Sequence, residues 1–228
     1  SINASCLSLA DAHKEYLLGD YEKAIEKAQD LDPNDEVLYF IGLVFIKTCQ
    51  YSSSRKYLQR LINQYPDSSL YPISLVKLAD TYFLQKDYDS ARELYQRVEE
   101  NHPKFEGMPL VILRLAQIAS RQGEWRKKNY YLGIIKDKYP ESSEIKFVKI
   151  LDSYGDYFTI QVGAFSDKAN ALALKNELQE EYKPYIIEDE NDNFTIYKVR
   201  VGKYKNRHDV EKVSRVLQSQ GYPASIYP

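Results

Sequence analysis

The sequence predicts two architectures in one chain, an all-α solenoid of helical hairpins followed by a small two-layer α+β unit of order βαββαβ. Three observations carry that expectation. Turn and proline markers recur with a period that settles at 37 residues and runs to about residue 145. Beyond Asp152 the apolar residues change from helical spacing to strict alternation. The alternating segment then repeats a strand, glycine and helix pattern at an offset of 39 residues.

The hairpins come first. Four turn triplets, Gly19-Asp20-Tyr21, Cys49-Gln50-Tyr51, Lys86-Asp87-Tyr88 and Gly123-Glu124-Trp125, each end in an aromatic, and those aromatics lie 30, 37 and 37 residues apart. Pro33, Pro66, Pro103 and Pro140 follow at spacings of 33, 37 and 37, the last three each 15 residues after their aromatic. Between markers the apolar positions are helical: Ile41, Phe45 and then Leu58, Leu61 in the second unit; Leu78, Tyr82 and then Ala91, Tyr95, Val98 in the third; Leu115, Ala119 and then Leu132, Ile135 in the fourth. Each unit therefore reads as helix, turn, helix. Pro72 and Pro109 fit first-turn positions, where the missing N–H costs nothing.

This pattern resembles the tetratricopeptide repeat. A small residue sits in each first helix (Ala12, Gly42, Ala79, Ala116), an aromatic opens each second helix, and a proline closes the unit. The small residue lets helices approach, the aromatic fills the gap between repeats, and proline stops the second helix. Three departures stand out: unit one has a shortened second helix, the period exceeds the usual repeat of about 34, and Lys128 stands where units one and three have Ala24 and Ala91. The resemblance implies a solenoid whose first helices line a concave groove. Register places Tyr39, Leu43, Val76, Asp80, Phe83, Leu113, Gln117 and Arg121 near it, as candidate partner contacts.

The second architecture begins with Phe158-Thr159-Ile160-Gln161-Val162, which puts Phe158, Ile160 and Val162 on one face of a strand and Thr159 and Gln161 on the other. Ala171, Leu174 and Leu178 predict a helix, 184–188 a second strand, 194–201 a third, Val210, Val213 and Leu217 a second helix, and 222–227 a last strand. That order describes an open sheet covered on one side, the ferredoxin-like arrangement or a close variant. Gln161-Val162-Gly163-Ala164-Phe165 matches Arg200-Val201-Gly202-Lys203-Tyr204, and at the same offset the first helix falls on the second. Glycine at both strand ends fits a conformation or close approach that a side chain would obstruct.

The segment Ile160-Gln161-Val162-Gly163-Ala164-Phe165, a helix, then Tyr197-Lys198-Val199-Arg200-Val201-Gly202 and a second helix is similar to the SPOR domain, the sporulation-related repeat. The resemblance implies a bacterial envelope module that binds peptidoglycan glycan strands, especially those stripped of stem peptides at division sites, on the sheet face free of helices. Carried over by position, the motif glutamine is Gln161, the residue after its glycine (Gly163) is Ala164, and the basic residue of the third strand is Lys198. Ile196 stands where an aromatic is often found, and Lys203 where a proline is. Alternation independently puts Tyr157, Thr159, Gln161, Ile196, Lys198 and Arg200 on the open face, if Phe158, Ile160, Val162, Tyr197, Val199 and Val201 face the helices. Amide and cationic side chains hydrogen-bond sugar hydroxyls and acyl carbonyls, and Tyr157 offers a flat ring for stacking.

Composition narrows the remaining classes. The chain has 228 residues, with Lys+Arg 31 against Asp+Glu 33 and a net charge of −2. Its longest nearly unbroken apolar run, Val37 to Ile46, falls well short of the roughly 20 residues a bilayer span requires. No basic and then apolar leader opens the sequence, so any signal peptide is expected to have been removed already or never to have been present. An open βαββαβ sheet also describes an RNA-recognition module, yet residues 157–228 hold ten Lys+Arg and ten Asp+Glu, too balanced for counterion-driven nucleic-acid binding. Cys6 and Cys49, with His13, His102 and His208 far apart in sequence, offer no metal set, and no cofactor is expected. The run from Glu188 to Asn193 lacks the glycine and terminal glutamate of a calcium loop and reads as an acidic hairpin loop. Nothing resembles a hydrolytic constellation, so enzymatic activity is not expected. Small residues before Cys6 resemble a bacterial lipidation site, and membrane association is expected only if that cysteine is lipidated.

The expected organisation is a repeat domain over 1–145, a connection over 146–156 and a SPOR domain over 157–228. The expected protein is a periplasmic or envelope-associated one, its C-terminal domain on peptidoglycan and its repeats on an unidentified envelope or division protein or peptide.

Overall fold

The computed structural model describes residues 8–191 and 194–228; Cys6, the candidate lipidation site, lies outside them. The chain divides into two compact units, residues 1–115 and 116–228. Hairpins one to three are α1 (Leu9–Leu18) with α2 (Tyr21–Gln29), α3 (Asp35–Lys47) with α4 (Tyr51–Gln64), and α5 (Tyr71–Leu84) with α6 (Tyr88–Asn101). The fourth is α7 (Met108–Gln122), which spans the division, with α8 (Trp125–Lys138). Helix α2 has 9 residues against 14 in α4, α6 and α8, which is the shortening visible in the sequence.

The four turn triplets adopt one conformation. Gly19, Cys49, Lys86 and Gly123 all have left-handed backbones, with φ of 83°, 58°, 65° and 76°. The next amide reaches back five residues in every case, Asp20 to the Glu15 carbonyl at 3.0 Å, Gln50 to Phe45 at 2.8 Å, Asp87 to Tyr82 at 3.0 Å and Glu124 to Ala119 at 2.8 Å. This is the Schellman closure, which satisfies a carbonyl the helix end would otherwise leave bare. Glycine adopts that backbone freely; Cys49 and Lys86 do so against a steric cost. The aromatic two residues on opens the second helix, and three residues later comes a packing slot filled by Ala24, Ser54, Ala91 and Lys128 in turn, all buried.

Helix α9 (Ile145–Ser153) occupies most of the expected connection and buries Val148 and Leu151. The α+β part follows as β1 (Phe158–Phe165), α10 (Lys168–Glu177), the single turn α11 (Gln179–Tyr182), β2 (Pro184–Asn191), β3 (Phe194–Tyr204), α12 (Arg207–Ser219) and β4 (Ser225–Tyr227). The sheet order is β2-β3-β1-β4 with every neighbouring pair antiparallel. Phe158, Ile160, Val162, Val199 and Val201 pack with Ala171, Leu178, Val210 and Leu217 into one core beneath the helices.

Three strand boundaries differ from expectation, one of them that of β3, which runs on to Tyr204 instead of ending at residue 201. The acidic run is mostly strand, because β2 continues through Asn191 and pairs Glu188, Asp189 and Glu190 with Tyr197, Ile196 and Thr195. Lys168 and Lys198 neutralise Glu188 and Asp189 there. The last strand is shorter than 222–227, since Pro223 has no N–H for a ladder and the Tyr222 amide turns back to the Leu217 carbonyl at 3.0 Å.

Two bulges break the alternation. Ile160 pairs with Val201 and Phe158 with Tyr204, so β3 carries an extra residue near Gly202, whose φ is +66°. Gln161 pairs with Arg200 and Gly163 with Val199, so β1 carries an extra residue at Val162.

Candidate functional site

The bulges decide which side chains reach the open sheet face. Gly163 lies opposite Val199 on the helix side, where a Cβ would stand 2.8 Å from Leu174 Cδ2. Ala164 lies opposite Lys198 on the open side, where simple alternation would not put it. The open face therefore holds Tyr157, Thr159, Gln161, Ala164, Ile196, Lys198 and Arg200, and Gly163 shapes the strand beneath it.

Three strand neighbours join them. Tyr185 pairs across β2 and β3 with Arg200, Tyr227 pairs across β4 and β1 with Thr159, and Lys203 projects from the β3 bulge. Lys203 Nζ stands 4.7 Å from the Tyr157 ring centre and 5.7 Å from that of Tyr185; the Arg200 guanidinium lies 4.7 Å from that of Tyr227. Alternation within the first and third strands alone does not reveal the Tyr185 and Tyr227 rings, because they come from the flanking strands β2 and β4. Lys203, the departure from the family's proline, ties two of them together.

Thr159 is 1% exposed. Its hydroxyl donates to the Val201 carbonyl at 3.1 Å and accepts from the Tyr185 hydroxyl at 2.9 Å, so it fixes the ring rather than meeting a ligand. Burial pushes the Tyr185 phenol up from its ordinary value, against the hydrogen bond to Thr159 and the nearby cations Arg200 and Lys203. Lys198 pairs with Asp189. At the centre, the cross-strand neighbours Gln161 and Arg200 leave Gln161 Oε1 and Arg200 Nε without hydrogen-bond partners. An acceptor and a donor side by side, between rings and cations, can bind polar groups on a flat sugar chain.

The groove candidates separate by burial. Val76 and Leu113 are buried in helix packing and present no surface; Tyr39, Leu43, Phe83 and Gln117 are half-buried and Arg121 is exposed. Asp80, 8% exposed, is the centre of a charged cluster. Its carboxylate accepts from the Tyr95 hydroxyl at 2.6 Å and meets Lys77 Nζ at 3.2 Å and Arg114 Nε at 3.4 Å. Arg114 also lies over the Phe83 ring at 4.8 Å. Burial, then the nearby Asp80 carboxylate, push the Tyr95 phenol far up and the Tyr39 phenol up as well. Two cations around one carboxylate leave this surface net positive. Sequence reasoning missed Lys77 and Arg114, which flank Asp80 from α5 and α7.

Among the described residues no helix is long and apolar enough to cross a membrane. Residues 154–228 match the family model described as the SPOR domain, and residues 35–104 and 110–142 match two models described as tetratricopeptide repeat. No curated protein matches the chain significantly. Among solved structures, PilW, described as a widely conserved type IV pilus biogenesis factor, is 16% identical with TM-score 0.53 over 60% of this chain and 63% of its own. A Podosopora anserina putative kinesin light chain with nearly identical TPR-like repeats is 12% identical with TM-score 0.51 over 75% and 91%. A MamA mutant is 19% identical with TM-score 0.50 over 64% and 79%. The chain spans less than two thirds of the length of two of the structures it matches, 63% of PilW and 64% of Pseudomonas aeruginosa pilF. These likenesses establish the helical-repeat fold. The chain carries tetratricopeptide repeats within residues 35–142 followed by a SPOR domain over residues 154–228.

Proposed function

We propose that this is a non-enzymatic cell-envelope protein that binds peptidoglycan glycan strands, stripped of stem peptides, across the open face of its SPOR sheet, and that holds a protein partner on its repeats. The observation that carries the glycan reading is the open face itself. Tyr157, Tyr185 and Tyr227 surround the unpartnered Gln161 Oε1 and Arg200 Nε, with Lys198 and Lys203 alongside. Removing a stem peptide frees a carboxylate on the glycan, which suits these cations, and the rings suit sugar faces. A cell-envelope setting follows from the SPOR domain; periplasmic residence and any lipid anchor at Cys6 are part of the proposal. The test is co-sedimentation of the full chain with sacculi, untreated or pretreated with an amidase. Pelleting should strengthen after stripping and fall about tenfold in a Gln161→Ala, Lys198→Ala double variant. Equal pelleting of variant and wild type would remove the open face as the site.

A second reading is a scaffold acting mainly through the repeats, favoured by the net positive Lys77, Asp80 and Arg114 cluster beside Phe83. It predicts partner capture that survives loss of sacculus binding in the double variant. Loss of both together would count against it.

A further inference from the structure

We propose that the fourth repeat is a structural wall of the glycan site, with Lys128 acting as the positioning residue for Tyr157. This rests on the glycan reading of the open face. Lys128 occupies the slot that Ala24, Ser54 and Ala91 fill in the other hairpins, yet it is 1% exposed. A buried ammonium is stable only with partners. Those partners lie outside the repeat, in the two residues that precede Tyr157: Lys128 Nζ meets Asp156 Oδ1 at 2.6 Å and donates to the Gly155 carbonyl at 3.1 Å.

Asp156 is held from two more sides. Asn129 Nδ2 donates to Asp156 Oδ2 at 2.9 Å, and Lys205 Nζ donates to the Asp156 carbonyl at 2.9 Å. The Tyr157 ring lies against Gly155, so closely that a Cβ there would stand 2.7 Å from Tyr157 Cε1. On the other side of Tyr157, Phe158 packs against Trp125 of the same helix, ring centres 5.0 Å apart, and Trp125 Nε1 donates to the Lys205 carbonyl at 2.8 Å. Arg207 Nη1 donates to the Arg121 carbonyl at 3.0 Å. Helix α8 thus fixes the residue before Tyr157 and the residue after it. The ring that meets Lys203 at the edge of the open face has its backbone set by a repeat helix.

The test uses the full chain with Lys128→Ala, which supplies the small residue of the other repeats, Tyr157→Ala, and the two combined. Lys128→Met, which keeps the aliphatic stem and removes the charge, stands in if the alanine variant fails to fold. Two readouts are taken: amide exchange across residues 155–159 and pelleting with amidase-stripped sacculi. Exchange should rise in the Lys128 variant while α3 to α6 stay protected, retention should fall about fivefold, and Tyr157→Ala should add little in that background. Unchanged exchange would overturn the proposal, as would wild-type retention despite faster exchange, or losses that simply multiply. If the wild-type chain fails to pellet, the glycan reading falls; exchange then decides the positioning alone, a rise supporting it and no change refuting it.

Discussion

Replacing Asp156 by alanine would leave the Lys128 ammonium buried, with the Gly155 carbonyl as its remaining hydrogen-bond partner. Removing one member of a buried ion pair costs about 3–5 kcal/mol, because the other charge stays desolvated. Here the Asp156 side chain is 38% exposed against 1% for Lys128, so water can approach the vacated position, and the carbonyl bond remains. About half the full cost, ~2 kcal/mol, is the expected loss. For a unit of this size that lowers the unfolding midpoint by about 10 °C. Trp125 is the single tryptophan and rests against this contact, so its emission during thermal unfolding reads the relevant unit. The control is Asp152→Ala, whose partner Lys136 is itself about half exposed at 2.8 Å; that pair should contribute less than about 0.5 kcal/mol. Adding Lys128→Met to Asp156→Ala should restore most of the loss, since no charge is then stranded. An Asp156 variant within about 0.5 kcal/mol of wild type, or no recovery on removing the lysine charge, would refute the assignment of Lys128 as a buried, paired cation.

Other outcomes follow from the same structure. Burial raises the Asp156 carboxyl, but the Lys128 and Asn129 hydrogen bonds outweigh it and hold the group below the ordinary 3.8, so this contribution is complete above that pH and lost as pH falls through the depressed value; Trp125-monitored stability should be level from neutrality to about pH 5 and drop in stronger acid. Lys86→Gly removes a side chain from a left-handed backbone and should stabilise the repeats by about 0.5–1 kcal/mol in chemical denaturation; a loss would contradict the turn geometry. Tyr95→Phe strips Asp80 of its 2.6 Å hydrogen bond and should cost about 2 kcal/mol in the same assay, although Lys77 and Arg114 remain.

The hairpins were legible because each turn writes its own marker: an aromatic two residues after the left-handed position, and a proline after the second helix. The sheet was legible as far as alternation holds. It stops holding at Val162 and near Gly202, where a bulge inserts one residue and moves Ala164 to the face that simple alternation denies it. The repeated glycines hinted at these places but not at two different reasons, close packing on Leu174 for Gly163 and a left-handed backbone for Gly202. Tyr185 and Tyr227 went unnoticed because an open face is shared by all four strands, and sequence alone does not say which rings of β2 and β4 come level with Gln161. Lys128 stood out as a departure from its repeat. Its partner, however, lies beyond α9, at a separation no local pattern encodes.

A repeat array grows or shrinks by copying units, and a new unit must stack on a neighbour through interchangeable surfaces. In the last hairpin the slot that other hairpins keep small is committed to Lys128, and its turn aromatic, Trp125, is committed to Phe158. A unit inserted after it would have to displace both. Change in the number of repeats is thereby steered away from this junction and into the hairpins before it, so that the array can vary in length while its join with the sheet stays the same.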